Sequence, residues 1–296
     1  MSRPKIKKKF LFVLNPIAGG RRKDDVPAML DEFCKEHNIL YNIIKTTGKE
    51  DHLRIEEQIL QNKYDAVVAI GGDGTVNLVG NVLLGKNIPL GILPLGSANG
   101  LAKDLNIPQE LPDALNVLPR FRPKFIDTLK INGYNAFHLS DLGFNARVIH
   151  RFAKGLLRGK LSYIWYGIQE FFTFTPFNYT ILTPISRYEG DAFMMIISNA
   201  SKFGTNVAIN PLGDIRDGYF EISIVKPFPK LHSFHIMYYL LSDKIHRSKY
   251  YKVIRCKHAV IFNKDNESFH IDGEPWLPVE KIEIDIHPKG LKVLLP

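Results

Sequence analysis

Residues 66–77 read Ala-Val-Val-Ala-Ile-Gly-Gly-Asp-Gly-Thr-Val-Asn. An apolar run of the kind a buried strand uses passes directly into three glycines, Gly71, Gly72 and Gly74, around one carboxylate, Asp73. Glycine lets a backbone adopt positive φ and approach a ligand with no Cβ in the way. Successive N–H groups in such a turn form an anion nest, and a following helix N-terminus adds partial positive charge. A carboxylate inside a phosphate-binding turn repels its ligand unless it works on a metal ion or a proton. Gly71 to Thr75 therefore point to metal-assisted phosphoryl chemistry, because a lone capping carboxylate does not need three surrounding glycines.

Other segments offer partners for that chemistry. Asn15-Pro16-Ile17-Ala18-Gly19-Gly20-Arg21 follows another apolar run and suits a phosphate or the adenine side of a nucleotide, or an ordinary strand-to-helix turn. In Leu93 to Ala102, Ser97 and Asn99 either cap the next helix or hydrogen-bond a phosphate or sugar at its N-terminus. Asn210 to Tyr219 sets Asp214 and Asp217 three apart in a turn that can hold Mg²⁺ or Ca²⁺, or simply be solvated. Asp272-Gly273-Glu274 brings a second pair of carboxylates, although Asp-Gly alone is a hairpin signal. The Gly-x-x-x-x-Gly-Lys-Ser/Thr phosphate loop is absent, and Asn77 stands where the dinucleotide fingerprint needs its third glycine. His232 and His235 have no further ligand at zinc spacing, so they read as surface or packing residues.

The elements that must position these loops alternate strand and helix over the first 125 residues. Phe10–Leu14, Leu40–Ile44, Ala66–Ile70 and Leu90–Leu93 read as strands, and Asp25–His37, Asp51–Gln61 and Val76–Leu84 as helices by their apolar spacing. That alternation predicts an α/β domain with a mostly parallel sheet, whose ligands lie beyond the carboxyl ends of the strands. From Phe125 onward short β-type runs dominate: Phe125–Ile131, Ala136–Leu142, Tyr179–Leu182, Phe193–Ser198, Tyr219–Val225, His258–Phe262, Ser268–Ile271 and Lys281–Ile286. These predict a β-sandwich. The expected division is 1–125 and 126–286.

With 45% hydrophobic and 23% charged residues, the chain has the composition of an ordinary globular protein. Its apolar runs fall short of the roughly 18 residues of a membrane helix. The basic N-terminus leads into an apolar run too short for a signal peptide, which predicts a cytoplasmic protein. Cys34 and Cys256 are the only cysteines, too few for a disulfide framework or a cysteine zinc site. The net charge of +9 favours anionic partners. No nucleic-acid module is present. Between Leu142 and Gln169 there is no acid, while Arg147, Arg151, Lys154, Arg158 and Lys160 interleave with Phe152, Leu156, Leu157, Leu161, Tyr163, Ile164, Trp165 and Tyr166 and lead on to Phe171, Phe172, Phe174 and Phe177. Such a stretch suits an anionic membrane interface, or a partly buried helix with solvated cations. Short strands in the second half also leave room for edge-to-edge pairing into a homodimer.

The order Asn-Pro-x-x-Gly-Gly, Gly-Gly-Asp-Gly-Thr-x-Asn, Pro-Leu-Gly-Ser-x-Asn and Asp-Gly-Glu resembles the diacylglycerol kinase catalytic family over nearly the whole chain. The resemblance implies an ATP-binding three-layer α/β domain of the NAD kinase type followed by a β-sandwich domain, with the active site in the cleft and a last strand, at about 287–296, returning to the first domain. It implies that Asn15, Pro16, Gly19, Gly20 and Thr47 contact nucleotide, together with Gly71, Gly72, Asp73, Gly74, Thr75, Asn77, Ser97 and Asn99. Asp73 would lie near Mg²⁺ and the reacting hydroxyl, and Asp272 or Glu274 would take the proton. Asp214, Asp217 and the Tyr219 carbonyl match a structural Mg²⁺ loop of the bacterial members. Asn99-Gly100 departs from the Asn-Asp of many bacterial members toward the sphingoid-kinase pattern, which bears on the lipid headgroup and leaves the reaction class untouched. The expected activity is ATP- and Mg²⁺-dependent phosphorylation of a lipid primary alcohol by a cytoplasmic, peripherally membrane-associated enzyme. Its rivals are an NAD kinase and a catalytically silent lipid-binding regulator.

Overall fold

A computed structural model describes residues 7–20, 24–155, 160–201, 209–211 and 213–296. Arg21, Leu156, Leu157, Arg158 and Leu212 of the segments above lie outside them. The chain forms two compact units, Met1–Ile126 with Gly290–Pro296, and Asp127–Lys289.

The first unit is built on β1 (Lys9–Leu14), β2 (Leu40–Lys45), β3 (Ala66–Gly71) and β4 (Leu90–Pro94). They lie in the order β2-β1-β3-β4 and all pair parallel. β3 and β4 are buried at every position, as expected of strands covered on both faces. Crossover helices are α1 (Val26–Glu36), α2 (Asp51–Gln61) and α3 (Asp73–Leu83), and α4 (Gly100–Asp104), α5 (Leu111–Leu115) and α6 (Val117–Arg120) follow β4. α3 begins three residues before the expected Val76, with Asp73 and Gly74 already in its first turn. Chain order reverses between β1 and β3, so this unit has its topological switch point there.

β5 (Pro123–Ile131) leads out of the first unit. The second unit holds β6 (Tyr134–Ala136), β7 (Leu139–Gly143), α7 (Phe144–Lys154), α8 (Lys160–Thr173), β8 (Phe177–Leu182), β9 (Arg187–Ala192), β10 (Met194–Ser198) and β11 (Phe220–Val225). It continues through α9 (Ser233–Leu241), β12 (Tyr251–Cys256), β13 (His258–Asn263), β14 (Phe269–Ile271) and β15 (Glu274–Trp276) to β16 (Lys281–Leu294). One sheet runs β16-β13-β8-β9 and the other β12-β11-β10-β7-β14-β15, with antiparallel pairing throughout. Between them lies a sandwich core to which strands contribute alternate residues: Phe220, Ile222 and Ile224 of β11, Ala259 and Ile261 of β13, Ile282 and Ile284 of β16. β16 continues past residue 289 into the first unit, where Val293 pairs parallel with Leu90.

Each unit holds one cysteine. Cys34 and Cys256 are both buried and free. Burial pushes the Cys34 thiol up to about 11 and the Cys256 thiol up to about 12.

Candidate active site

In the first unit, the loops after β1, β3 and β4 touch through backbone. A Cβ on Gly96 would lie 2.4 Å from the Cα of Gly72 and 2.7 Å from Asn99 Oδ1. Gly19, at φ 63°, would drive a Cβ to 2.5 Å from the Leu95 carbonyl oxygen. The Leu95 amide donates to the Gly71 carbonyl at 2.8 Å, and the Asn15 amide to the Ile70 carbonyl at 2.9 Å. These glycines are thus demanded first by loop-to-loop contact, and they leave three backbone segments converging at the switch point.

Side chains lock the assembly. Asn15 Nδ2 donates to Thr75 Oγ1 at 3.2 Å while Asn15 Oδ1 accepts from the Ile17 amide at 3.1 Å. Asn99, buried and left-handed at φ 52°, accepts from the Gly96 amide at 2.9 Å and donates to its carbonyl at 3.1 Å. Asn77 receives Asn81 Nδ2 one turn along α3, 2.8 Å from its own Oδ1. Gly72 caps α3 with no side-chain acceptor, and its carbonyl accepts from the Thr75 amide at 2.9 Å and the Val76 amide at 3.1 Å, so the Asp73 and Gly74 amides head the positive end of the helix. Asp73 is half-buried at the first helical position, and its Oδ1 lies 3.4 Å from the Leu101 amide. It is a first-turn acid, not the cap. Gly74 and Ser97 are exposed.

The loop after β2 is organised by Asp51, a residue the sequence reading passed over. Its oxygens accept from the Thr47 amide at 2.9 and 3.0 Å, the Gly48 amide at 2.7 Å, Thr47 Oγ1 at 3.1 Å and Arg54 at 3.1 Å. Burial works to raise the Asp51 pKa, but these donors hold it below the usual carboxylate range. The cue was an acid at the start of α2 just after a Thr-Gly turn.

In the second unit, Asp272 and Gly273 both have positive φ (49° and 84°) and form the two-residue turn between β14 and β15. Asp272 accepts from the amides of Phe137 at 2.8 Å, His138 at 3.0 Å and Leu139 at 3.1 Å. The Gly273 amide donates to His270 Nδ1 at 3.1 Å, which leaves Nε2 to donate to buried Asp141 at 2.7 Å. Asp141 also accepts from Asn145, which accepts from the Tyr163 hydroxyl. This buried chain fixes the turn, and Glu274 is exposed beside it.

The Asp214–Tyr219 loop carries a cation of the protein's own. Asp217 Oδ2 accepts from Arg255 at 2.5 Å, and Asp217 Oδ1 from the Tyr219 amide at 2.9 Å. Arg255 also lies 3.3 Å from buried Glu221 and stacks over the Tyr219 ring. Burial raises the Glu221 pKa, with Asp217 and Asp214 adding to the rise and Asn210 and Arg255 opposing it. Asp214 Oδ1 accepts from the Arg216 amide at 3.1 Å. His232 is half-buried, its Nδ1 2.7 Å from the Tyr250 hydroxyl, and His235 is exposed, its ring 4.5 Å from that of Tyr239.

The basic stretch is divided between core and surface. Arg147 pairs with Glu267 and Glu170, and Arg151 with Glu170 at 2.6 Å, so these two cations neutralise buried acids. Phe171 and Phe174 pack around Phe144 and Phe193, and Phe177 is buried, while Ile164, Trp165 and Phe172 are exposed. Among the described residues no helix is long and apolar enough to cross a membrane.

We expect Gly96→Ala to lower the melting midpoint and weaken nucleotide binding together, because the new methyl meets backbone that cannot yield. Overpacking of this kind costs about 1–3 kcal/mol. Calorimetry and a nucleotide titration of the same variant check it, and unchanged values in both would mean that the loops separate freely.

The chain thus joins a parallel α/β unit, with a glycine–carboxylate loop at its switch point, to an antiparallel sandwich. The diacylglycerol kinase catalytic domain matches residues 9–131, and the YegS C-terminal NAD kinase beta sandwich-like domain matches residues 140–295. The chain is 30% identical over 304 residues to "Probable lipid kinase YegS" of Escherichia coli O127:H6 (strain E2348/69 / EPEC), covering 97% of this chain and 95% of that protein. A crystal structure of a diacylglycerol kinase from Bacillus anthracis str. Sterne shares the fold, with a TM-score of 0.73 at 20% identity over 99% of this chain and 98% of that one. The chain belongs to the diacylglycerol kinase catalytic family and is a kinase of the lipid-kinase type.

Proposed function

We propose that this protein transfers the γ-phosphoryl group of ATP, with Mg²⁺, to the primary hydroxyl of a diacylglycerol-like or sphingoid-like lipid, at an anionic membrane surface. The observation that carries the reading is the backbone meeting of loops 15–20, 71–75 and 95–99 at the switch point, with Asp73 at the start of α3. The Asp73 and Gly74 N–H groups at the start of α3 would hold the phosphates, and Asp73 would hold Mg²⁺, whose charge would offset that of the phosphates. Asn15, Thr47, Thr75 and Asn99 are positioning residues that keep the loops in place, and Ser97 is the side chain of its loop open to the nucleotide. The lipid hydroxyl oxygen attacks the γ-phosphorus, its new O–P bond forming as the bond to the bridging oxygen breaks and ADP leaves. The hydroxyl proton passes to a carboxylate, which we assign to Glu274, because Asp272 already accepts three amides.

The test is transfer of labelled γ-phosphate to diacylglycerol, sphingosine, ceramide, monoacylglycerol and phosphatidylglycerol in mixed micelles, with NAD beside them. Label is expected in one lipid class. Label in NAD alone would make the protein an NAD kinase, and ATP binding with no label in any acceptor would favour a silent lipid-binding regulator.

For the Asp214–Tyr219 loop, the Arg255 guanidinium already neutralises Asp217 and would compete with Mg²⁺. We expect Mg²⁺ to raise the melting midpoint of Arg255→Gln by more than that of the wild type. An equal response in the two proteins would remove Arg255 from competition for the loop.

A further inference from the structure

We infer that α9, joined by the C-terminal end of α8, inserts into the surface of an anionic lipid bilayer, an inference that rests on the lipid-kinase reading and gives it a contact face. Phe234, Met237, Tyr238 and Leu241 recur at i, i+3, i+4 and i+7 of α9. Such a stripe ordinarily meets a core, yet Phe234 is 81% exposed, Leu241 70%, and the other two more than half. Ile236, off the stripe, is the buried residue of the helix. Leu231 extends the exposed apolar surface one turn before the helix. A second exposed set, Trp165, Ile168 and Phe172, lies on α8. Lys230 joins the two, its Nζ donating to the Phe172 carbonyl at 2.9 Å and standing 5.4 Å from the Phe172 ring centre. Exposed apolar surface of this extent marks an interaction face.

Charge chooses the occupant. Residues 226–252 contain six cations, Lys226, Lys230, Lys244, Arg247, Lys249 and Lys252, against Asp243 alone. Cations thus flank the apolar stripe at both ends of α9, as in a helix that lies in the headgroup layer of an anionic membrane. Trp165 and Tyr238 are of the types that favour that layer. A second copy of this chain would bring the same positive rim against this one, so self-association is opposed by like charge.

The experiment measures sedimentation with vesicles of phosphatidylcholine alone and of phosphatidylcholine with phosphatidylglycerol. It compares wild type with the Phe234→Ser, Leu241→Ser double variant, and follows Trp165 emission in a Trp276→Phe background. The expected result has wild type binding the anionic vesicles at least tenfold more tightly than the neutral ones, with a blue shift of Trp165. The double variant loses at least tenfold of that binding while keeping its circular dichroism and its phosphorylation of a short-chain diacylglycerol in detergent. Full vesicle binding by the variant overturns the inference. So does a wild type that ignores vesicles and elutes as a dimer which the variant dissociates. Intact vesicle binding with no lipid phosphorylated would instead defeat the kinase reading and leave this surface standing.

Discussion

Asp73→Asn is expected to bind ATP, melt near the wild-type temperature and turn over no lipid. Asp73 sits at the first position of α3, where an acid gains about 0.3–1 kcal/mol from the helix dipole, so losing its charge costs the fold little. An asparagine Oδ1 can still face the Leu101 amide that Asp73 approaches at 3.4 Å. What disappears is the negative charge beside the proposed phosphate cradle, and with it the proposed means of holding a divalent cation there. The loss in kcat is expected to exceed about 10²-fold, the lower end of what one well-placed charged group contributes. Single-turnover phosphoryl transfer, run beside nucleotide binding and calorimetry, separates the two effects. A variant within tenfold of wild-type turnover would take Asp73 out of the chemistry.

The two acids of the 272–274 turn should part company when each is neutralised. Glu274→Gln changes an exposed residue on a short hairpin, so stability should hold while kcat falls by about 10²–10⁴-fold, the usual contribution of a proton acceptor. Asp272→Asn should do the reverse. Its carboxylate accepts from three consecutive amides, and an amide side chain has one oxygen to offer them. Leaving a donor unsatisfied costs about 1–3 kcal/mol, which lowers the midpoint by several degrees in a unit of this size. Reduced turnover is then expected to recover on cooling in Asp272→Asn, whereas that of Glu274→Gln is not. The opposite pattern, a stable dead Asp272→Asn and a fully active Glu274→Gln, would exchange the two assignments.

The parallel strands of the first unit were legible to within about a residue because each is a short, continuous apolar run closed by glycine or polar residues. The same holds for β11, β13 and β14, where alternation survives in the sequence. β9 is an edge strand with an almost wholly exposed Arg-Tyr-Glu-Gly-Asp-Ala sequence, so no hydrophobic period announces it. The early start of α3 was hidden by Asp73-Gly74-Thr75, poor helix formers whose place is fixed by contacts with loops far along the chain. Long-range pairing concealed most of the rest. The carboxylates that neutralise Arg147 lie 23 and 120 residues downstream at Glu170 and Glu267, so a stretch free of acids in sequence is not free of them in space. Likewise Asp272 could be read as a hairpin residue or a proton acceptor until its amide partners, more than 130 residues earlier, were known.

The distribution of thiols, one shielded cysteine in each unit, equips the molecule with two internal reporters. A buried thiol whose pKa is raised reacts with an alkylating reagent only when its surroundings open. Modification of Cys34 therefore counts openings of the first unit, and modification of Cys256 counts openings of the sandwich. Peptide mapping after a pulse of reagent reads both clocks in one sample of the unaltered protein. Adding ATP should slow the first clock directly, and any slowing of the second would measure how strongly nucleotide occupancy is felt by the half of the chain that lacks the glycine loop.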